Sequence, residues 1–136
     1  MNKDSMYTVV KKAYFAGGCF WCLESAYRMV EGVINVVSGY AGGHVKSPNY
    51  ERVCQGDTGH AEVVEITYNP HQVSYHDLLK VFFTIHDPTT LNKQGNDIGT
   101  QYRSAIFVKK EEEAEMAKNT ITKLTEERIF SQPIVT

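Results

Sequence analysis

Ala13-Tyr14-Phe15-Ala16-Gly17-Gly18-Cys19-Phe20-Trp21-Cys22 reads as strand, glycine turn and helix, and the rest of the chain can be assembled outward from it. The apolar run stops at the glycine pair. Beyond the pair, Phe20, Leu23, Tyr27 and Val30 fall at i, i+3, i+7 and i+10, the spacing of a helix with one buried face. Cys19 therefore sits at or near the first helical residue, facing unpaired backbone N–H groups and the positive end of the helix dipole. Both favour thiolate, the nucleophilic form of cysteine. Two cysteines can also be small apolar residues packed in a core. The coincidence of C-x-x-C spacing, glycine turn and helix start favours redox chemistry.

Working outward, a strand is expected within Tyr7–Ala16, the helix over about Cys19–Val30, and, after Gly32, a second strand over Val33–Tyr40. A glycine-rich loop from Gly39 to Gly59 is too polar and too punctuated for a regular element. His60–Tyr68 alternates as a third strand and closes at Asn69-Pro70. Ser74-x-x-Asp77 is a capping-box pattern opening a second helix to about His86, with Tyr75, Leu78, Phe82 and Ile85 as its apolar face. Asp87-Pro88 stops it, and a polar loop runs to Gly99. Tyr102–Lys109 reads as a fourth strand and Glu111–Arg128 as a third helix with Ala114, Ala117, Ile121 and Leu124 inward. Ile134-Val135-Thr136 reads as the start of a further strand. The order β-α-β-β-α-β is the split βαβ arrangement of an α+β, ferredoxin-like two-layer sandwich. It predicts one sheet with helices on one face and the long glycine-rich loops at the site.

Composition narrows the class. The 136 residues suffice for one domain with its own core. Fourteen basic against sixteen acidic residues give a charge of −2, and no basic patch predicts nucleic acid. No apolar run approaches a membrane span, and Met1-Asn2-Lys3-Asp4 opens no signal-peptide core. An odd count of three cysteines argues against a secreted disulfide framework, so a cytoplasmic setting is expected. The histidines His44, His60, His71, His76 and His86 are scattered. A zinc site of Cys19, Cys22, Cys54 and His60 would lack the expected second close ligand pair, so no metal is assigned.

Glu62 is the second informative position. On a strand it shares a face with Val64, Ile66 and Tyr68, whereas Glu65 faces the other way. A carboxylate in line with three core residues must reach the sheet end or give up its charge. Burial raises a carboxyl pKa, and a neutral acid can donate a proton near neutral pH. The loop Gln94-Gly95-Asn96-Asp97-Ile98-Gly99-Thr100-Gln101-Tyr102 matches no phosphate-binding spacing.

Taken together, Gly18-Cys19-Phe20-Trp21-Cys22, Ser38-Gly39-Tyr40-Ala41-Gly42-Gly43, Thr58-Gly59-His60-Ala61-Glu62, His86-Asp87-Pro88 and Gln94-Gly95-Asn96-Asp97 through Gln101-Tyr102-Arg103-Ser104 resemble the peptide methionine sulfoxide reductase A family. The motifs occur in the family's order from about Ala13 to Thr136. The resemblance implies reduction of the S epimer of methionine sulfoxide, free or in proteins, as oxidative-damage repair. Thioredoxin, or another dithiol, is the implied reductant, with no bound cofactor. It assigns Cys19 as the nucleophile, Glu62 as the acid on the sulfoxide oxygen, Tyr50 and Tyr102 as further partners of that oxygen, and Asp97 as an orienting residue. Phe20 and Trp21 match the pocket for the substrate methyl group. Two rings adjacent on a first helical turn cannot both point inward, so at least one should face the site. Attack of Cys19 would leave a sulfenic acid that a second thiol converts to an intramolecular disulfide. Many family members have another residue at the position of Cys22 and a resolving cysteine in a C-terminal tail. Here Cys22 is the expected resolving thiol and Cys54 the alternative. The family pattern continues past position 136 with a strand and an aromatic, acidic segment, so residues 1–136 are read as a single catalytic domain short of that segment, and as a monomer. A general thiol-disulfide oxidoreductase is the competing reading; disulfide exchange has no oxygen to protonate and gives Glu62 no task.

Overall fold

A computed structural model describes residues 9–41 and 60–136. The elements run β1 (Lys11–Gly17), α1 (Phe20–Arg28), β2 (Val33–Ala41), β3 (Ala61–Tyr68), α2 (Tyr75–Ile85), β4 (Lys93–Gln94), β5 (Asp97–Ile98), β6 (Ser104–Phe107) and α3 (Glu111–Glu126), with a 3-10 turn at Thr100–Tyr102 before β6. The main sheet has the order β2-β3-β1-β6, and all three pairings are antiparallel. With β6 as the fourth principal strand, this is the ferredoxin-like order expected from the sequence. Among the described residues no helix is long and apolar enough to cross a membrane.

The core lies between the sheet and its helices. Phe15 stacks on Tyr27 and Phe82 with ring centroids 5.8 and 5.0 Å apart, joining β1, α1 and α2. Phe20, Leu23 and Tyr27 are buried as the helical spacing predicts. The Tyr27 hydroxyl, fully buried, donates to the Leu78 carbonyl at 2.9 Å, so α1 and α2 are joined by a hydrogen bond as well as by apolar contact. Ser74 caps α2: its hydroxyl accepts from the Asp77 amide at 3.0 Å, and the Asp77 carboxylate accepts from the Ser74 amide at 3.2 Å. That reciprocal bonding is the capping box.

Four expectations are corrected. Ile85 is exposed rather than part of the apolar face of α2, which is Tyr75, Leu78, Leu79, Phe82 and Phe83; at about 100° per residue Ile85 falls on the rim of that arc. The polar stretch before Gly99 contains a hairpin in which Lys93 pairs with Ile98 and Gln94 with Asp97. Its turn residues, Gly95 and Asn96, are a dipeptide suited to tight hairpins. Tyr102 lies in the 3-10 turn, and the strand begins two residues later at Ser104 and ends at Phe107. Ile134–Thr136 forms no strand. The Val135 amide donates to the Pro88 carbonyl at 2.8 Å, and the Thr136 and Ser104 hydroxyls are 2.7 Å apart. These bonds hold the segment without a ladder.

Candidate active site

The glycine turn is shaped by what presses on it. Gly18 has φ +94, a conformation costly for any residue with a Cβ. A Cβ at Gly18 would fall 2.6 Å from Gln94 Cγ, and one at Gly17 would fall 2.9 Å from the His86 ring. Both positions therefore need glycine: the chain turns sharply and two side chains close directly over it. Cys19 follows as the N-cap of α1, with extended φ and ψ of −62° and 123°. Its carbonyl accepts from the Cys22 amide at 3.1 Å and the Leu23 amide at 3.4 Å. Its thiol makes no capping bond and is half-buried at the end where backbone N–H groups point outward.

Glu62, second residue of β3, is 1% exposed and shares the core face with Val64, Ile66 and Tyr68, all of them buried. Its Oε1 accepts from the Phe20 backbone N–H at 3.3 Å. The carboxyl thus lies against the residue that follows Cys19. Burial pushes its pKa up, the Phe20 hydrogen bond partly opposes this, and the negative charge of Asp97 pushes further up. The alternation in the sequence located this group. The bond to Phe20 is a consequence of how β3 docks beneath α1.

The two aromatic rings of the motif divide as expected. Phe20 is buried at 6% exposure and Trp21 is 60% exposed, their centroids 5.9 Å apart. Tyr40, which pairs with Glu62 in register across β2 and β3, packs on Phe20 at 5.8 Å. Tyr40 stands in the Ser38–Gly43 motif with no role assigned to it from sequence; the strand register brings it here. Cys22, one helical turn on, is exposed. Partial desolvation raises its thiol pKa first; the Cys19 charge, a hydrogen bond to Cys19 and Asp97 raise it further.

Asp97 is carried by β5 and acts electrostatically on both Glu62 and Cys22. Tyr102, half-buried, lies in the turn between Asp97 and β6. Tyr50 and Cys54 lie outside the described residues. Among the described residues no three His, Cys, Asp or Glu side chains converge as metal ligands. His86 is a core residue. Its Nδ1 donates to the Phe82 carbonyl and its Nε2 accepts from Ser104 at 2.8 Å, with burial lowering its pKa.

A free cysteine at a helix start, a second thiol one turn behind it and a buried carboxyl against the next residue are the site of a thiol-dependent oxidoreductase on a ferredoxin-like sandwich. A family model described as peptide methionine sulfoxide reductase matches residues 11–136. The chain is 58% identical over 127 residues to the peptide methionine sulfoxide reductase MsrA of Chromobacterium violaceum, covering 93% of this chain and 72% of that one. Its structure is similar to methionine sulfoxide reductase A of Corynebacterium diphtheriae, with a TM-score of 0.78 and 32% identity over 93% of this chain and 66% of that one. It is also similar to reduced Mxr1 of Saccharomyces cerevisiae, with a TM-score of 0.79, 38% identity and coverage of 93% and 77%. A further Mxr1 structure is a complex with Trx2. The chain belongs to the peptide methionine sulfoxide reductase family, and it is an oxidoreductase acting on methionine sulfoxide.

Proposed function

We propose that this chain reduces the S epimer of methionine sulfoxide, free or in proteins, with Cys19 as nucleophile and Glu62 as proton donor. The reading is carried by one observation: a carboxyl 1% exposed, raised in pKa, hydrogen-bonded to the amide next to Cys19. Sulfoxide oxygen leaves sulfur poorly until it is protonated. A neutral acid beside a thiolate meets both requirements. Attack of the Cys19 thiolate on the substrate sulfur, with the Glu62 proton passing to oxygen, ends with oxygen on Cys19 as sulfenic acid and methionine released. Cys22 then displaces that oxygen as water and a Cys19–Cys22 disulfide forms. An external dithiol donates two electrons and two protons to this disulfide, returning both thiols and leaving as a disulfide itself. The balance is one sulfoxide and two thiols to one thioether, one disulfide and one water.

Thioredoxin is the proposed dithiol, consistent with the Trx2 complex of Mxr1. Trp21, exposed beside buried Phe20, supplies the apolar wall for the substrate methyl group. Tyr102, and Tyr50 outside the described residues, bind the sulfoxide oxygen, and Asp97 orients the site. The proposed setting is the cytoplasm, where free thiols persist, with the chain acting as a single catalytic domain and a monomer. The test is single turnover with an S-configured sulfoxide and no reductant. One methionine per chain and a protein lighter by two hydrogen atoms are expected. An unchanged mass, or equal turnover of the R epimer, would refute the reading.

A further inference from the structure

The hairpin that carries Asp97 is tied to the Cys19 turn by one side chain. Gln94 Oε1 accepts from the Asp87 backbone N–H at 2.7 Å, and its Nε2 donates to the Asp87 carbonyl at 2.8 Å. An amide so paired mimics a β-ladder rung, with both polar atoms used and the direction of the side chain fixed. The methylenes between the amide and the backbone lie on Gly18, where a Cβ would be 2.6 Å from Cγ and 2.8 Å from Cβ of Gln94. The backbone of Gln94 pairs with Asp97 in the hairpin. A single residue therefore touches the turn before the nucleophile, the segment after α2 and the strand bearing the site's second carboxylate.

The Asp87 end of the link is itself held. The Asp87 carboxylate accepts from the Thr89 amide at 2.9 Å and from the Thr89 hydroxyl, and its neighbour His86 is buried against Gly17. On the hairpin side, the Gly99 amide donates to the Asn92 carbonyl at 2.8 Å, and Thr90 Oγ1 donates to the Lys93 carbonyl at 2.7 Å. Both ends being fixed, Gln94 transmits position instead of merely filling space.

We infer that Gln94 is a positioning residue of the reductase reaction, setting the Asp97 carboxylate relative to Cys19 and Glu62 through its paired bonds to Asp87 and its contact with Gly18. The inference rests on the roles proposed above for Cys19, Glu62 and Asp97. Displacements of about 1 Å in such an arrangement cost up to about 10²-fold in rate. The groups acting on Glu62 are the Phe20 N–H from α1 and Asp97 from β5, with Tyr40 opposite it in the β2–β3 register. Loosening the hairpin moves Asp97 alone among these.

The test is a double-mutant cycle of Gln94→Met and Asp97→Ala, measuring single-turnover methionine release across pH. Met keeps the methylenes over Gly18 and removes both amide bonds. The expected result is a loss of about 10–100-fold in Gln94→Met and under twofold when the same change is made in Asp97→Ala. The alkaline limb of the pH–rate profile should move to lower pH in Gln94→Met and stay put in the Asp97→Ala background. Equal factors in both backgrounds, or a Gln94→Met rate within twofold of wild type, overturn the inference, since independent sites add. If Gln94→Met does not fold, Gln94→Glu, which keeps the acceptor for the Asp87 amide, is run through the same cycle with the same criteria. A wild-type chain that releases no methionine refutes the proposed reaction itself, a different outcome from additivity in an active enzyme.

Discussion

The Phe20 amide donates to the Glu62 carboxyl across 3.3 Å, joining the first residue of α1 to the second residue of β3 over 42 positions of sequence. An orphan N–H at a helix start would ordinarily be met by a side-chain cap, and Cys19 offers none. The carboxyl takes that place. It is thereby fixed beside Cys19 in a setting that favours its neutral form, because burial outweighs the bond and Asp97 adds repulsion.

Replacing Glu62 by Gln keeps the size and an acceptor for Phe20 but removes the transferable proton. Single-turnover rate should fall by about 10²–10⁴-fold, and stopped-flow release of methionine measures it. Wild-type activity should decline at alkaline pH as Glu62 ionises. A Gln variant within a few-fold of wild type would remove Glu62 from the acid role.

The same substitution makes a stability prediction with a definite sign. Glu62 has a folded pKa above its unfolded value near 4.5. Below that value the folded and unfolded chains are both protonated and the carboxyl contributes no difference. As pH rises through the window between the two values, the unfolded chain loses its proton first, so folding is progressively disfavoured. Glu62→Gln should thus match wild type in urea unfolding at acid pH and exceed it at neutral pH. A Gln variant less stable at neutral pH than at acid pH, relative to wild type, would show that the carboxylate is favoured in the fold.

Much of this site was legible because its residues lie on regular elements. The i, i+3, i+7 spacing from Phe20 placed Cys19 at a helix start, and strict alternation put Glu62 on the core face. What escaped was set by contacts distant in sequence. Tyr40 reaches Phe20 only through the β2–β3 register. Gln94 gains its importance from Asp87 and Gly18, which no local pattern joins to it. The hairpin of β4 and β5 did have a signal, Gly95-Asn96, but its two-residue strands are too short to alternate. Tyr102 falls in a 3-10 turn rather than in the following strand because Gly99, at φ +143, caps that turn just ahead of it.

Tyr27→Phe tests the link between α1 and α2. The hydroxyl donates to Leu78 from a fully buried position, and its loss leaves the ring packing on Phe15 intact. Urea unfolding should report destabilisation of about 0.5–1.5 kcal/mol with an unchanged m-value. A neutral substitution would mean that the Leu78 carbonyl is fully served by its helix.

Gly17→Ala should be destabilising by about 1–3 kcal/mol, the usual cost of overpacking, because the new methyl would fall 2.9 Å from the His86 ring and 3.1 Å from Phe82. His86 is held on both nitrogens and cannot swing aside without breaking a bond. Pairing Gly17→Ala with His86→Ala should recover part of the loss, whereas purely additive costs would place the strain elsewhere.

Cys19→Ser should abolish methionine release and leave circular dichroism unchanged, since the Cys19 side chain caps nothing. Cys22→Ser gives the finer information. The Cys22 thiol pKa is pushed up by partial desolvation first, then by neighbouring Cys19 and by Asp97. The geometry demands a small adjustment: i and i+3 Cβ atoms on a helix are roughly 5–6 Å apart, against about 3.8 Å in a disulfide, and the first turn of a helix, with few bonds of its own, can loosen. Treating the enzyme with one equivalent of sulfoxide, blocking free thiols and mapping linked peptides should give Cys19–Cys22. The Cys22→Ser variant should release one methionine and stall as a dimedone-reactive sulfenic acid. A Cys19–Cys54 bridge, or full thioredoxin-supported turnover in Cys22→Ser, would transfer the resolving role to Cys54.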